Sequence, residues 1–597
     1  MMNHEAIAVY ARLRDQYTGE HQAISRRHRN LGLIRLLVVL LVLWCFYTYF
    51  SGSNPLWLVP GLLALGIFVY LVRLHRAMGL QKIRLATLLQ INKEELAYLE
   101  EGALPFTDGQ TYRDEHHAYT ADLDIFGHRS LYQHLNRTAT QMGQDRLAKD
   151  LKVMLPEALI RDRQQAVAEL GPLLAQRQEI YTAGRMAHDS RERYEGLLQW
   201  TEREEPPVNK LLLVSAYIVP AALIVVLLLY AVFRLPLYSD IALRLFPVNL
   251  FLFALCAGRI KKAIAGTEQV NETLSAYAAI FRQIESAGWQ SPYLKQLQEK
   301  LKEKGVVASM QLQRLAAIYK GMETVQNPFA AVITNGLYLY HVHLLQRLSR
   351  WKKAYAGLIP LWLEVIGEVE TGNSLANLYY NNPSFCFPAL NREEQISFRA
   401  LGHPLIREER RICNDIAFDE HRFVILTGSN MSGKSTFLRT LGVNMVLAGM
   451  GSPICAQAAT IQPLPVLVSM RQSDSLADSE SYFFAEVKRL RAIMDRLEQE
   501  ACFVLLDEIL RGTNSDDKRS GTIGVIRKII AKKAIGAIAT HDLEVCLTTA
   551  EYPAALCNKC FEVEIIDNEL VFDYTLREGI CKNKSATFLM QKMKIIG

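Results

Sequence analysis

A chain of 597 residues, half of them hydrophobic, is too long for one core and, at roughly 100–200 residues per domain, divides into three or more units. A formal net charge of +6 permits contact with nucleic acid or anionic lipid and equally fits basic residues flanking membrane spans, so charge alone excludes neither. The ten cysteines are scattered, several of them inside apolar runs (Cys45, Cys256, Cys502), which reads as reduced cytoplasmic thiols rather than a disulfide framework.

In chain order, the first predicted element is an N-terminal cytoplasmic helix over residues 1–30. From Leu36 to Val72 there is no charged residue, and "SGSNP" at 51–55 splits the run into two arms of about the 20 residues that a bilayer demands. This predicts a transmembrane hairpin over 31–76, followed by a helical linker over 77–114. A second hairpin over 209–262 joins "LLLVSAYIVPAALIVVLLLYAVF" at 211–233 to the shorter run Ile241 to Gly258, which carries Arg244 near one end. Arg26, Arg27 and Arg29 precede the first hairpin and Arg73 and Arg76 follow it; Lys210 precedes the second and Arg259, Lys261 and Lys262 follow it. By the positive-inside tendency, all these ends are cytoplasmic. A signal peptide is the rival reading of the first run, but about thirty polar residues precede it and no small-residue cleavage site follows. Buried helices of a soluble core are the other alternative.

Residues 77–110, 130–205 and 263–350 are rich in Leu, Ala, Gln, Arg and Glu with few glycines, which predicts long helices. An all-α core over 115–208 and 263–394 thus flanks the second hairpin. Pro383, Pro388, Gly402 and Pro404 then mark a change to short β-rich runs alternating with helices, so the last domain is placed at 395–597.

That domain holds the chemistry. In "ILTGSNMSGKSTFLRT" at 425–440, Gly428, Gly433, Lys434 and Ser435 satisfy G-x-x-x-x-G-K-[ST] between a strand-like and a helix-like segment, the setting a phosphate-binding loop requires. The candidate nucleotide site is the run Gly428, Ser429, Asn430, Met431, Ser432, Gly433, Lys434, Ser435 and Thr436. Its backbone N–H groups would curl around phosphates, Lys434 would reach the β- and γ-phosphates, and the Ser435 hydroxyl would ligate Mg²⁺. ATP and Mg²⁺ are the expected cofactors. A second strand, "CFVLL" at 502–506, ends in Asp507, suited to hold Mg²⁺, and Glu508, suited to orient or deprotonate the attacking water. A solvated acidic turn is the plainer reading of a lone Asp-Glu pair, and the preceding P-loop argues against it. A third run, "AIGAIA" at 534–539, delivers Thr540 and His541 to the same carboxyl edge, where His541 is a candidate reporter on the γ-phosphate, although a lone histidine is more often structural. Cys557 and Cys560 form a lone "CNKC", short of the four ligands of a zinc site.

The stretches "LTGSNMSGKSTFLRT", "FVLLDEILRGTNSDD" and "ATHDLEV" resemble the P-loop, the Asp-Glu strand with its Arg-Gly-Thr loop, and the histidine switch of the MutS family, ABC-type ATPases of DNA mismatch repair. "QSDSLADSESYFFAEVKRL" at 472–490 is similar to that family's signature segment, which implies that Ser481 acts on nucleotide held by the opposite subunit. Upstream, "NRTATQMG" within 119–147 resembles the opening of the MutS core. The fold class implied is an α/β P-loop NTPase domain of the ABC type behind an all-α lever region that transmembrane hairpins interrupt. The chain reaches its core by about residue 115, leaving no length for a mismatch-probing domain, and its Phe-x-Glu matches at Phe418 and Phe484 fall inside the ATPase domain.

Three functions compete. The first is a membrane-anchored ATPase working as a homodimer through its heads and coupling hydrolysis to DNA, with the lipid bilayer of a bacterial inner membrane as anchor and the ATPase domain cytoplasmic. The second keeps the motor but moves membrane or protein without DNA. The third is a nucleotide-dependent scaffold, disfavoured because Lys434, Ser435, Asp507, Glu508 and His541 are all present. An ABC exporter does not fit, since short hairpins here interrupt a helical body instead of forming a block of spans ahead of the motor.

Overall fold

Caps and breakers divide the helical core more finely than composition predicts. In the computed structural model, which describes residues 4–52, 55–203, 210–264, 270–470, 482–566, 569–581 and 595, the stretch expected as long helices over 130–205 is five helices. Ser130, Thr140 and Ser190 each accept an N–H from the first turn that follows, and Pro156 and the Gly171-Pro172 pair separate the others.

The two apolar stretches behave in the opposite way. The N-terminal helix and the first arm are one element, His4–Phe50, and the second arm continues as Leu58–Leu96 through most of the expected linker. The pair is antiparallel: the Trp44 ring meets Trp57 edge-on at 4.8 Å, Gly61 lies against Cys45, and the His28 and His75 rings are 3.8 Å apart. The second hairpin comprises Lys210–Phe233 and Pro236–Ile264; its second helix outruns the predicted apolar run because Pro236 starts the helix early and Arg244 is carried within it. Among the described residues, these four helices are long and apolar enough to cross a membrane, and their outward leucines (Leu37, Leu63, Leu211, Leu243) are exposed.

The C-terminal part holds two sheets. Strands β1 (Ala389–Leu390), β2 (Ser397–Leu401), β3 (Asn414–Ala417) and β5 (Ala458–Ile461) form a small sheet in the order β1-β5-β2-β3. The main sheet orders β10 (Glu569–Glu578), β9 (Leu556–Ile566), β4 (Phe423–Gly428), β8 (Ile535–Ala539), β7 (Phe503–Asp507) and β6 (Val466–Ser469), parallel throughout except for β10. Strands β4, β7 and β8 are buried on both faces, which is why each reads as an unbroken apolar run. The helix Lys434–Gly449 covers one face, in a cluster continuous with the helical core, and Tyr482–Leu497 and Ser515–Ala531 cover the other.

Buried ion pairs fix how these parts meet. On the first hairpin, Glu95 accepts from Arg137 of the "NRTAT" stretch and from Asn377 and Asn381 of the long helix Ile359–Asn381, and Tyr10 donates to Asn377 and Asn381. Removing one partner of a buried pair strands the other charge, at about 3–5 kcal/mol. Glu95→Ala is therefore expected to destabilise the detergent-solubilised protein by that order, read as a shift of the denaturant midpoint, whereas the exposed Glu101→Ala leaves it unchanged.

Candidate nucleotide-binding active site

Adjacent strands deliver the motif residues to one edge. Register pairs Leu426 of β4 and Asp507 of β7 with Ala539 of β8, so the P-loop, Asp507-Glu508 and Thr540-His541 leave the sheet side by side. The Thr540 N–H donates to Leu426 O and the Glu508 N–H to Ala539 O, extending the ladder into the site.

Gly428 and Gly433 are required sterically. A Cβ at Gly428 would lie 2.5 Å from Ser432 Oγ, and Gly433 has φ 102° with the Tyr574 ring 3.0 Å from where a Cβ would stand. Between them Met431 holds φ 67° and is exposed, while Ser435 and Thr436 open the helix Lys434–Gly449 at its N-terminus. Lys434 Nζ donates to Gly428 O at 2.9 Å and Ser429 O at 3.0 Å, and burial lowers its pKa.

His541 Nε2 stands 3.4 Å from Lys434 Nζ and 2.5 Å from Glu508 Oε1, and Arg511 Nε approaches Glu508 Oε2 at 3.3 Å. The hydrogen bond to His541 is the largest of the influences that hold the Glu508 carboxyl down at about 2. Glu508 itself has φ 47° and Leu510 φ 62°; the strained loop is anchored by Glu486, which accepts the Leu510 N–H at 2.6 Å. That gives Glu486 a structural part; of the two Phe-x-Glu matches, Phe418 is buried against Phe503 and Phe484 is exposed on the helix Tyr482–Leu497. Ser481 and its segment lie outside the described residues.

A cavity of about 440 Å³ runs from Asn430 and Glu508 to a wall formed by His403, Ile406, Ile412, Phe561 and Tyr574. Burial, with Arg439 and Arg411 nearby, pushes the His403 pKa down to about 4, which keeps its ring neutral at physiological pH. These residues have the shape and polarity to hold a nucleotide base, and sequence reasoning did not single them out because they come from the small sheet's loop and from β9 and β10, outside any contiguous motif. The fit to a Mg²⁺-nucleotide is carried by unused bonding capacity: Ser429 Oγ, Ser432 Oγ and Asp507 Oδ1 are buried without a partner among the described residues. Ser435 and Asp507 are the residues that would hold the metal. Cys557 and Cys560, three apart on β9, face opposite sides of the strand.

Residues 424–595 match the family model for MutS domain V. Over this stretch the chain is similar to the MutS family. Relatives include the DNA mismatch repair protein MutS of Thermotoga sp. (strain RQ2), 31% identical over 32% of this chain and 24% of its own length, and that of Thermotoga maritima, 29% identical over 36% and 28%. The human MutS protein homolog 4 is 29% identical over 32% of this chain and 22% of its own. The chain thus aligns with about a quarter of the length of these relatives. Within the MutS domain fall the P-loop, Asp507, Glu508, His541 and Tyr574; His403, Ile406 and Ile412 precede it.

Because the Glu508 carboxyl sits below its ordinary value of 4.5, its ionised form stabilises the folded state, fully above that value and progressively less as pH falls toward about 2. Acid-unfolding curves of the parent and Glu508→Gln are expected to differ by a constant amount above that value and to converge below it.

Proposed function

We propose that this chain is a MutS-like ATPase, anchored in a bacterial inner membrane by its two hairpins with the ATPase domain cytoplasmic, that binds and hydrolyses ATP as a homodimer and couples head closure to DNA. The observation that carries the reading is the contact series Lys434, His541, Glu508 at the sheet edge. A carboxylate held near 2 by His541 is a weak proton acceptor, so Glu508 serves as general base only after leaving that histidine. Lys434 supplies the trigger: its bonds to two neutral loop carbonyls exchange for charge-assisted bonds to phosphate, and the ring next to it is His541. Bound Mg²⁺, held by Ser435 and Asp507, supplies charge neutralisation at the phosphates. The resemblance of the signature segment implies that Ser481 acts on nucleotide held by the opposite subunit, which would make two heads the working unit. Two of the relatives are named DNA mismatch repair proteins, which supports DNA as partner.

A second reading, an ATP-driven remodeller of membrane or protein that binds no DNA, is favoured by the first hairpin's bonding through Glu95 and Tyr10 to the helix Ile359–Asn381. Binding of the solubilised protein to duplex and branched DNA across a salt titration separates the two: the first requires affinity that falls steeply with salt, the second predicts none at low salt.

Glu508→Gln is expected to bind ATP normally and to slow single-turnover hydrolysis by about 10²- to 10⁴-fold, the usual loss on removing a general base. Equal rates in the parent and the variant would reject the assignment. For the anchor, a membrane-impermeant maleimide added to intact cells is expected to label Ser239→Cys at the hairpin turn, and to reach the exposed native Cys413 only after the cytoplasm is opened.

A further inference from the structure

Between the helices Ala308–Glu323 and Tyr340–Tyr355 sits a short helix, Pro328–Tyr338, at the tip of the helical core. We propose that this tip helix is embedded in the bilayer as a re-entrant element beside the second hairpin, its outward face against lipid acyl chains; the inference rests on the membrane-anchored reading above.

One side of the tip helix is packed on the hairpin. Ala331, Asn335 and Gly336 are buried, and a Cβ at Gly336 would meet the Phe246 ring at 2.2 Å, so only glycine admits this contact. The buried Asn249 Nδ2 donates to Gly336 O at 2.8 Å, satisfying a carbonyl of the last turn where water would otherwise be needed. Phe246 and Asn249 stand five residues in from Ile241 and nine in from Gly258, the ends of the apolar run, about 8 Å and about 14 Å at 1.5 Å per residue, and so inside a hydrocarbon layer of about 30 Å.

Around the remaining circumference Phe329, Val332, Ile333 and Leu337 are all exposed, with Phe329 at 83%. From Thr324 to Gln346 there is no Asp, Glu, Lys or Arg; Glu323 and Arg347 bound the stretch. At 11 residues the helix rises about 16 Å, too short to cross, and Gly321 packs against Tyr340 and Leu344, so the chain leaves on the side from which it arrived. The turn after it, with Leu339 at φ 51°, is sealed by side chains: Asn335 accepts the His341 N–H at 3.1 Å and its Nδ2 meets His341 Nδ1 at 2.8 Å. Irregular backbone at membrane depth persists only when protein satisfies it in this way. On the second hairpin, against which this helix packs, Leu243 and Phe251 are likewise exposed, and on this proposal hydrocarbon covers both sets.

The test uses the full chain in proteoliposomes, in a Cys413→Ser background, with nitroxide labels at Ile333→Cys, Leu228→Cys in the hairpin and Lys295→Cys on the core surface. Collisions with oxygen, which concentrates in hydrocarbon, are compared with those of a water-soluble nickel chelate. Oxygen is expected to dominate at Ile333 as at Leu228, and nickel at Lys295. Oxygen dominance at Leu228 with nickel dominance at Ile333 would overturn the inference and leave the anchor intact, while nickel dominance at Leu228 would remove the membrane reading and the inference with it. Dipolar broadening between Ile333 labels, with neither collider reaching them, would assign the face to a second copy and also overturn it. Phe329→Cys repeats the measurement should Ile333→Cys fail to fold.

Discussion

A carboxylate cannot be buried without partners, and the helix Ile359–Asn381 buries two within one turn. Glu368 accepts from Arg163 and Tyr293; Glu370 accepts from Thr140 and from the N–H groups of Ala139 and Thr140, and burial raises its pKa to about 7. Arg163 also donates to Met450 O, where the P-loop helix ends. Two turns further on, Asn377 and Asn381 take up Glu95 and Tyr10. The "NRTAT" stretch and the first hairpin are thus bonded directly to polar groups of one helix, and the end of the P-loop helix is bonded to it through Arg163. Each of these bonds fixes angle as well as distance, so the parts cannot slide over one another as apolar faces can.

Such a chain of contacts carries displacement only if some element in it has two discrete arrangements. On the proposed reading that element is Glu508, which bonds His541 in one state and a water in the other. Strain favours a switch of this kind: Glu508 and Leu510 both hold positive φ, and a loop already in a sparsely populated conformation is closer in energy to its alternatives than a relaxed one. Asp122 ties the signature segment to the core, accepting from the Met470 N–H just ahead of it and from Arg489 near its end.

The adjacency of the candidate site's motif residues was legible in the sequence because they lie in contiguous motifs whose spacing is dictated by strand-loop-helix geometry. Lys434, Asp507, Glu508 and His541 each sit at the end of an apolar strand, and the sheet register brings those ends together. What the sequence concealed depends on partners far apart in the chain. Nothing near Glu95 announces Arg137, and nothing near His403 announces Tyr574, since burial and pairing are properties of the packed chain. The clamped state of Glu508 was hidden for the same reason, because its partner His541 reads in sequence as a separate motif. Residues 263–350, rich in helix formers, read as uniform helix; the tip helix inside them is distinguished only by the missing charges and by an apolar face that the fold leaves uncovered.

The first hairpin has one further consequence. A helix of 47 residues is about 70 Å long, and a bilayer's hydrocarbon occupies about 30 Å of it. On the proposed membrane-anchored reading, the remaining length is a stilt braced by its antiparallel neighbour that lifts the ATPase head to a height set by residue count. All copies in one bilayer would then stand equally tall, so two heads would need only to drift sideways and turn about the membrane normal to meet. A search in three dimensions becomes a search in a plane.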